Sequence, residues 1–493
     1  MNILMVYPMY PDTFWSFKHA LKFVSKKASF PPLGLLTVAS MLPKDWNKKL
    51  IDMNANQLTD DDILWADLVF ISAMSIQSAS ANEVIERCIN LNAKIVAGGP
   101  LFTSSSELYD NVNYLVLNEA EITLPHFLKD LNEGNPKHKY TSDDWADIST
   151  TPLPQWDLVS MNNYTSMNLQ YSRGCPFDCE FCDITVLYGR KPRTKTKDQV
   201  IAELDALYFT GWRGPVFFVD DNFIGNKVKL KKEILPAITE WMTKRKNPFY
   251  LNTEASINLA DDEDLMWQMA KAGFEAVFIG IESTNKKSLI ECHKPQNANR
   301  DLIESVKKIQ QFGLEVQGGF IVGFDNDHPE IFEEITNFIQ QSGIVTAMVG
   351  LLNAPKGTKL EKRLIEEGRM LNDFTGNNTD FTINFIPRMD SEILSDGYKS
   401  ILKTIYSPKY FYERVMRFMK DFEPKKKKVF HLNPNYILAL FRSIVKLGVI
   451  GEERIYYWKL FFWTLFRKPQ LFSLAILFAI YGFHFKKISN GFC

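Results

Sequence analysis

Strand-like and helix-like segments alternate along most of this chain, and that alternation restricts its architecture more than any other feature. Apolar runs at Asn2–Tyr7, Lys49–Met53, Leu68–Ala73, Lys94–Ala97 and Tyr114–Leu117 read as strands. Between them, Leu33–Leu42, Ala81–Leu91 and Leu124–Leu131 carry helical spacing. Strands that alternate with helices predict a parallel sheet covered on both faces, hence an α/β class. Gly98-Gly99-Pro100 directly after a strand marks a turn where backbone can approach a ligand closely. A polar stretch from Asn132 to Asp157, with Pro136, Pro152 and Pro154, closes this unit. The first domain is placed at residues 1–140, followed by a linker at 141–164.

A second series repeats strand then helix at the spacing expected of parallel βα units. Its strands are Met167–Ser172, Val216–Asp220, Tyr250–Glu254, Ala276–Ile281, Val316–Val322 and Thr346–Leu352. Amphipathic segments lie between them, among them Lys197–Phe209, Asp261–Lys271, Arg300–Phe312 and Pro329–Ser342. Six such units predict a partial (β/α)6 barrel over residues 165–390, with its functional groups at the strands' C-terminal ends. Asp220-Asp221-Asn222, Asn252-Thr253-Glu254, Glu282-Ser283 and Gly318-Gly319 all fall at or near such ends. A carboxylate at one strand end is ordinarily a solvated loop charge, but here several converge on one loop.

That loop holds Cys175, Cys179 and Cys182, a C-x3-C-x2-C run. Thiolates at this spacing can hold three irons of a [4Fe–4S] cube. A structural zinc site takes four protein ligands, so a set of three leaves one iron open to a bound molecule. Only six cysteines occur in the chain. The other three are scattered, give no disulfide framework, and fit a reducing cytoplasm. Of seven histidines, His19 alone lies in an aromatic segment near the expected ligand face, and it reads as structural.

The net charge of −1 hides an asymmetry, because Ile401–Cys493 carries 17 Lys/Arg against 5 Asp/Glu. This basic, aromatic, mostly helical segment forms the last domain, residues 391–493. Lys425–Lys428 is a four-lysine run, and Leu471–Phe485 is almost entirely apolar. Fifteen residues fall short of the roughly 20 that span a bilayer. Two placements stay open: a helix lying at the headgroup level of anionic lipid, or a helix buried against the barrel. Aromatics gathered in apolar blocks, apart from the basic residues, argue against nucleic acid.

The cysteine run after the first barrel strand, with Phe181 before its last cysteine, resembles the radical S-adenosylmethionine (SAM) superfamily. The resemblance implies that SAM chelates the open iron, and that one-electron reduction by an external donor such as flavodoxin or ferredoxin yields a 5′-deoxyadenosyl radical. By position, Asp220 and Asp221 stand where the family usually has Gly-Gly-Glu for the methionine amino group. Glu282, Ser283, Gly318 and Gly319 match positions that border ribose and adenine. The first domain resembles the Rossmann-like cobalamin-binding domain of one radical SAM class. Tyr188–Thr194, Phe218–Gly225 and Thr253–Leu259 are similar to the branch containing hopanoid methylases. In related cobalamin domains Asp-x-His supplies a cobalt ligand; here Asp52-Met53-Asn54 puts an amide in the histidine's place. Ser72, Ser75, Gly98 and Gly99 are the expected cradle.

These features predict a cobalamin-dependent radical SAM methylase acting on an unactivated carbon of a lipid. Two alternatives stand beside it. One is radical lipid chemistry without methyl transfer, such as coupling, desaturation or rearrangement; the other is a non-catalytic cobalamin or redox sensor. The substrate is expected to be a small molecule or lipid, with peripheral contact to the inner face of the membrane through the C-terminal domain.

Overall fold

The computed structural model describes residues 1–372, 375–377, 380–424 and 434–491. The Lys425–Lys428 run lies outside the described residues. Six parallel strands form the first sheet: β1 (Asn2–Tyr7), β2 (Asn47–Asp52), β3 (Leu68–Ser72), β4 (Ile95–Gly98), β5 (Tyr114–Val116) and β6 (Lys139–Tyr140). Their order is β2-β1-β3-β4-β5-β6. Strand β1 shows why both faces are covered. Ile3 and Met5 pack in the large core shared with the rest of the molecule, while Leu4 and Val6 pack in a separate core with Val84, Ile85 and Phe102. Alternation with period two sends successive side chains to opposite faces, so a strand apolar at every position needs a layer on each side. The chain reverses its strand order between β1 and β3, and the C-terminal ends of these strands form the crevice where α/β sheets bind ligands.

The second sheet contains β7 (Met167–Leu169), then, after the ribbon strands β8 (Ser172–Arg173) and β9 (Arg193–Thr194), β10 (Gly214–Phe218), β11 (Phe249–Glu254), β12 (Phe274–Glu282), β13 (Glu315–Val322) and β14 (Ala347–Leu351). The order β14-β13-β12-β11-β10-β7 is parallel throughout, a barrel left open between β7 and β14. The expected strand Met167–Ser172 is divided, because Ser172–Arg173 leaves the sheet and pairs antiparallel with Arg193–Thr194. Helices cover the outside, each started by local chemistry. For Lys197–Phe209, the Thr196 hydroxyl accepts from Gln199 N at 3.3 Å and Gln199 Oε1 accepts from Thr196 N at 3.0 Å, a reciprocal cap. Along β10 and β11, Val216, Phe218, Leu251 and Thr253 are buried beneath those helices, whereas Phe217, Asn252 and Glu254 alternate with them and are only partly covered. The barrel's inner side is therefore accessible.

The C-terminal helices are Ser391–Ile405, Pro408–Asp421, Pro434–Ser443 (continued by a wide-turn segment Ile444–Ile450), Arg454–Arg467 and Phe472–Gly491. All of the expected apolar stretch but Leu471 is part of this last helix of 20 residues. Among the described residues one helix, Pro469–Gly491, is long and apolar enough to cross a membrane by length and composition, and 56% of its apolar window is buried inside the protein. Phe485 stacks on Phe14 at 4.2 Å, and buried His484 donates from Nε2 to the Phe14 carbonyl at 2.9 Å. Of the two placements open from sequence, burial describes this helix.

Candidate active site

Asp220 and Asp221 follow β10 and turn back to the cysteine loop. Asp220 accepts from Tyr171 N at 3.1 Å and from the backbone and hydroxyl of Ser172; Asp221 accepts from Gly174 N at 2.8 Å. Gly174 has φ +89°, and a Cβ there would lie 2.9 Å from the carbonyl oxygens of both Gly189 and Tyr188. Only glycine fits this turn. Beyond it, Cys175 N donates to Gly189 O at 3.3 Å and Cys182 N to Cys179 O at 3.2 Å, which fixes the backbone of the cysteine loop. The three thiols lie near enough that the charge of Cys175 acts on both Cys179 and Cys182. Burial pushes the thiols up, Cys179 to about 11, so iron would displace their protons. Glu180 pairs with Arg363 at 2.7 Å and Phe181 packs against Phe324, which anchors the loop on the barrel. Among the described residues no three His, Cys, Asp or Glu side chains are arranged around a single metal ion. The ligands of a cube bind separate irons and stand farther apart than those of one ion.

Carboxylates gather beside this loop. Burial raises Asp220 to about 7, Asp221 to about 6 and Glu254 to about 8, and the two aspartates raise Glu254 further. Such a group favours a cation. Across the barrel mouth Glu282 sits at φ +65° and pairs with buried Lys294, whose ammonium also donates to Gly280 O at 2.9 Å. A Cβ on Gly280 would lie 2.2 Å from Glu282 Oε1 and 2.7 Å from Lys294 Nζ, so a larger residue there would displace this ion pair. Buried Asn222 Oδ1, Asn252 Oδ1 and Asn297 Oδ1 have no hydrogen-bond partner. Each such atom costs about 1–3 kcal/mol unless something binds it. A cavity of about 500 Å³ opens beside the loop between Pro176, Phe177, Asn222, Ser256 and Asn258.

The expected positions near ribose and adenine divide. Ser283 is buried and its hydroxyl caps Asn285 N at 3.1 Å. Gly318 faces the helix layer, where a Cβ would lie 3.1 Å from Ile344, whereas Gly319 faces the bore beneath the Phe278 ring. Lys294 and Asn297 escaped sequence reading because the one-turn helix Pro295–Ala298, with Lys294 at its N-cap and Asn297 within it, is too short to give a periodic signal.

In the first domain, Asp52 and Asn54 end β2. Asn54 Oδ1 accepts from Tyr10 N at 2.8 Å, and its amide nitrogen donates to Asp52 Oδ1 at 2.8 Å and Pro8 O at 3.3 Å. The other Asp52 oxygen accepts from the Tyr164 hydroxyl at 2.9 Å. At the crevice, Gly99 adopts φ +92°, and a Cβ would lie 2.6 Å from Ser72 Oγ; one on Gly98 would lie 2.6 Å from Val116 O. Ser75 opens the turn Ser75–Gln77, over which the backbone of Gly376 passes. An unforeseen buried cluster then joins the two domains. Glu119, beyond β5, receives Arg173 from β8 at 2.6 Å and Arg193 from β9 at 2.7 Å, and Arg173 also reaches Glu121 at 3.0 Å.

Three family models match consecutive parts of the chain: a B12 binding domain at residues 24–128, the radical SAM superfamily at 169–339, and a domain of unknown function (DUF4070) at 358–493. An uncharacterized methyltransferase of Synechocystis sp. is 40% identical over 98% of this chain and 91% of its own length. The hopanoid C-2 methylase of Rhodopseudomonas palustris is 34% identical over 93% of this chain and 88% of its own. The chain belongs to the B12-binding radical SAM family. Within that family the solved structure of the cobalamin-dependent radical enzyme OxsB, with aqua-cobalamin and SAM bound, shares the fold: TM-score 0.63, 16% identity, covering 99% of this chain and 84% of that one. This radical SAM protein is an enzyme, a cobalamin-dependent methylase, and the sensor reading is set aside. Its cofactors are a [4Fe–4S] cluster, SAM and cobalamin.

The residues present fit that set. Three thiols on one glycine-turned loop, without a fourth protein donor in the motif, suit a cube with one open iron. The buried carboxylates and unpartnered amide oxygens suit a zwitterionic, hydrogen-bonding molecule such as SAM. The Gly98–Gly99 turn suits a large planar ligand approaching backbone. Asn54 offers no free atom to a cobalt, since both ends of its amide are engaged within the protein.

Proposed function

We propose that this enzyme methylates an unactivated carbon of a polycyclic, hopanoid-like lipid at the inner face of the membrane, drawing electrons from a donor of the flavodoxin or ferredoxin class. The observation that carries the substrate class is the 34% identity to a hopanoid C-2 methylase sustained over 93% of the chain. The inner barrel side supports it, because Phe217, Phe278 and Met348 are half-buried there and Trp15, from the first domain, meets Phe278 at 5.4 Å. An aromatic and thioether lining of this kind suits an apolar ligand.

In this reading Cys175, Cys179 and Cys182 hold the cluster. Asp221 and Glu254 face the SAM ammonium, Lys294 its carboxylate, and Asn222 and Asn297 supply the remaining acceptors. Asp220 holds the loop in shape rather than touching SAM. Ser72, Ser75, Gly98 and Gly99 cradle cobalamin. When bound, these cofactors supply a primary alkyl radical able to take hydrogen from an sp3 carbon, and a methyl group to replace it. The protein's part is to hold the substrate carbon between the two domains and exclude water. The test is anaerobic turnover with SAM, reductant and a hopanoid, followed by mass analysis. A product heavier by one CH2 supports the reading; a product that has lost hydrogens, or no product with 5′-deoxyadenosine still formed, overturns the substrate assignment. Cys175→Ala is expected to abolish 5′-deoxyadenosine.

A further inference from the structure

The terminal helix Phe472–Gly491 is mostly buried, so it is not the part of the chain that meets a membrane surface. Most of the exposed apolar side chains of the C-terminal helices belong to the two helices packed on it. Along Pro434–Ser443 and its continuation, Ile437, Phe441, Val445 and Val449 recur every four residues and are 51%, 66%, 51% and 61% exposed. On Arg454–Arg467, Ile455, Phe462 and Phe466 are 74%, 48% and 75% exposed. Tyr457, Leu460 and Thr464 are buried on the opposite side of that helix, so it turns one apolar face inward and a second one outward. A soluble surface helix has no need of the second face.

The exposed charges around these residues are mostly positive. Lys446, Arg454, Lys459 and Arg467 are exposed on the same pair of segments. The two acids near them, Glu452 and Glu453, both contact Lys486, at 2.8 and 3.3 Å. Half-buried Tyr456, Trp458 and Trp463 lie on the same helix, and such rings favour the headgroup region. Pro434–Ile450, ten residues continued by seven, and the fourteen of Arg454–Arg467 both fall short of the about 20 that span a bilayer.

We infer that the outward face of Pro434–Ile450 and Arg454–Arg467 docks on an anionic phospholipid bilayer, its apolar side chains at the headgroup–acyl boundary and its lysines and arginines among the phosphates. Complementary charge commits the face to lipid over a second copy of the chain, because two such faces would repel. The inference rests on the proposed lipid-methylating role, yet its test needs neither the lipid substrate nor methylation.

The reconstituted full-length enzyme is floated with vesicles of phosphatidylcholine alone and of phosphatidylcholine with phosphatidylglycerol. Flotation with the anionic vesicles, weakened by salt, is expected, and Phe441→Glu with Phe466→Glu is expected to weaken it about tenfold or more. The double variant should keep its SAM-cleaving activity without vesicles, since both side chains are largely exposed and neither is among the candidate site residues. If it misfolds, Lys459→Glu with Arg467→Glu tests the same face through charge alone. Absence of flotation, equal binding to both vesicle types, or unchanged binding of a folded variant overturns the inference. So does a wild-type dimer that the apolar substitutions separate, which would mean that a second copy covers the face. A failed methylation assay with intact vesicle binding would leave this inference standing.

Discussion

At Asn54 a single side chain ties the loop after β1 to the end of β2. Its three hydrogen bonds reach Tyr10, Pro8 and Asp52, two of them to backbone more than forty positions away. Asn54→Ala leaves Tyr10 N without its acceptor, and a loss of about 1–2 kcal/mol of stability is expected by urea unfolding. The absorption and electron-spin spectra of bound cobalamin are expected to stay as in the wild type; a shift would make the amide a cobalt ligand. Sequence pattern revealed that the histidine was missing at this position but not what the asparagine does, because its partners are backbone groups brought near only by the sheet. Cys175, Cys179 and Cys182 are the opposite case. The cluster-binding role proposed for them rests on local spacing, which the sequence alone shows. Gly174 and Gly99 fall between: a glycine announces a turn, and only the fold shows which carbonyl or hydroxyl a Cβ would strike.

At the scale of elements, both parallel sheets were legible because fully buried strands are apolar at nearly every position, as Ile3–Val6 and Val277–Ile281 are. The two-residue strands were not. Ser172–Arg173 departs from the barrel because Asp220 binds its backbone and Glu119 binds Arg173, contacts from 48 and 54 positions away. That second contact gives the element-scale prediction. The Glu119 side chain is 1% exposed and neutralises two guanidiniums, Arg173 and Arg193, that are themselves largely buried. Glu119→Ala is expected to cost about 3–5 kcal/mol by urea unfolding, since it strands buried charge. Glu107→Ala, which breaks the half-exposed pair with Lys356 across the same two domains, is expected to cost less than about 1 kcal/mol. Equal losses would mean that the buried cluster has no special part in joining cobalamin domain to barrel. The tail was legible as helical and apolar but not as to which helix faces out, since Leu471–Phe485 and Tyr456–Phe466 are both apolar enough for either placement and packing alone chooses.

Across the whole molecule, His484 connects the last helix to the first loop. Burial holds its imidazole down at about 4, below the usual value of about 6.5, so the folded protein keeps it neutral. The unfolded chain takes up a proton as pH falls through about 6.5 while the native state does not, so stability declines toward acid. From this group the loss is expected to be about 2 kcal/mol between pH 7 and pH 5, about neutral above that range. Unfolding curves at the two pH values check it, and His484→Gln should remove that share of the decline. An identical pH dependence in the variant would place the acid sensitivity elsewhere, and not in Asp52 or the barrel carboxylates, whose raised folded-state values favour the native state as pH falls. The same contact bears on how the protein is made. A ribosome releases the cobalamin domain hundreds of residues before Phe485 exists, so Phe14 and Phe17 emerge without the rings that later cover them. The cobalamin domain thus leaves the tunnel before it can be finished, and the nascent chain carries an exposed aromatic hook until the helix Phe472–Gly491 is synthesised.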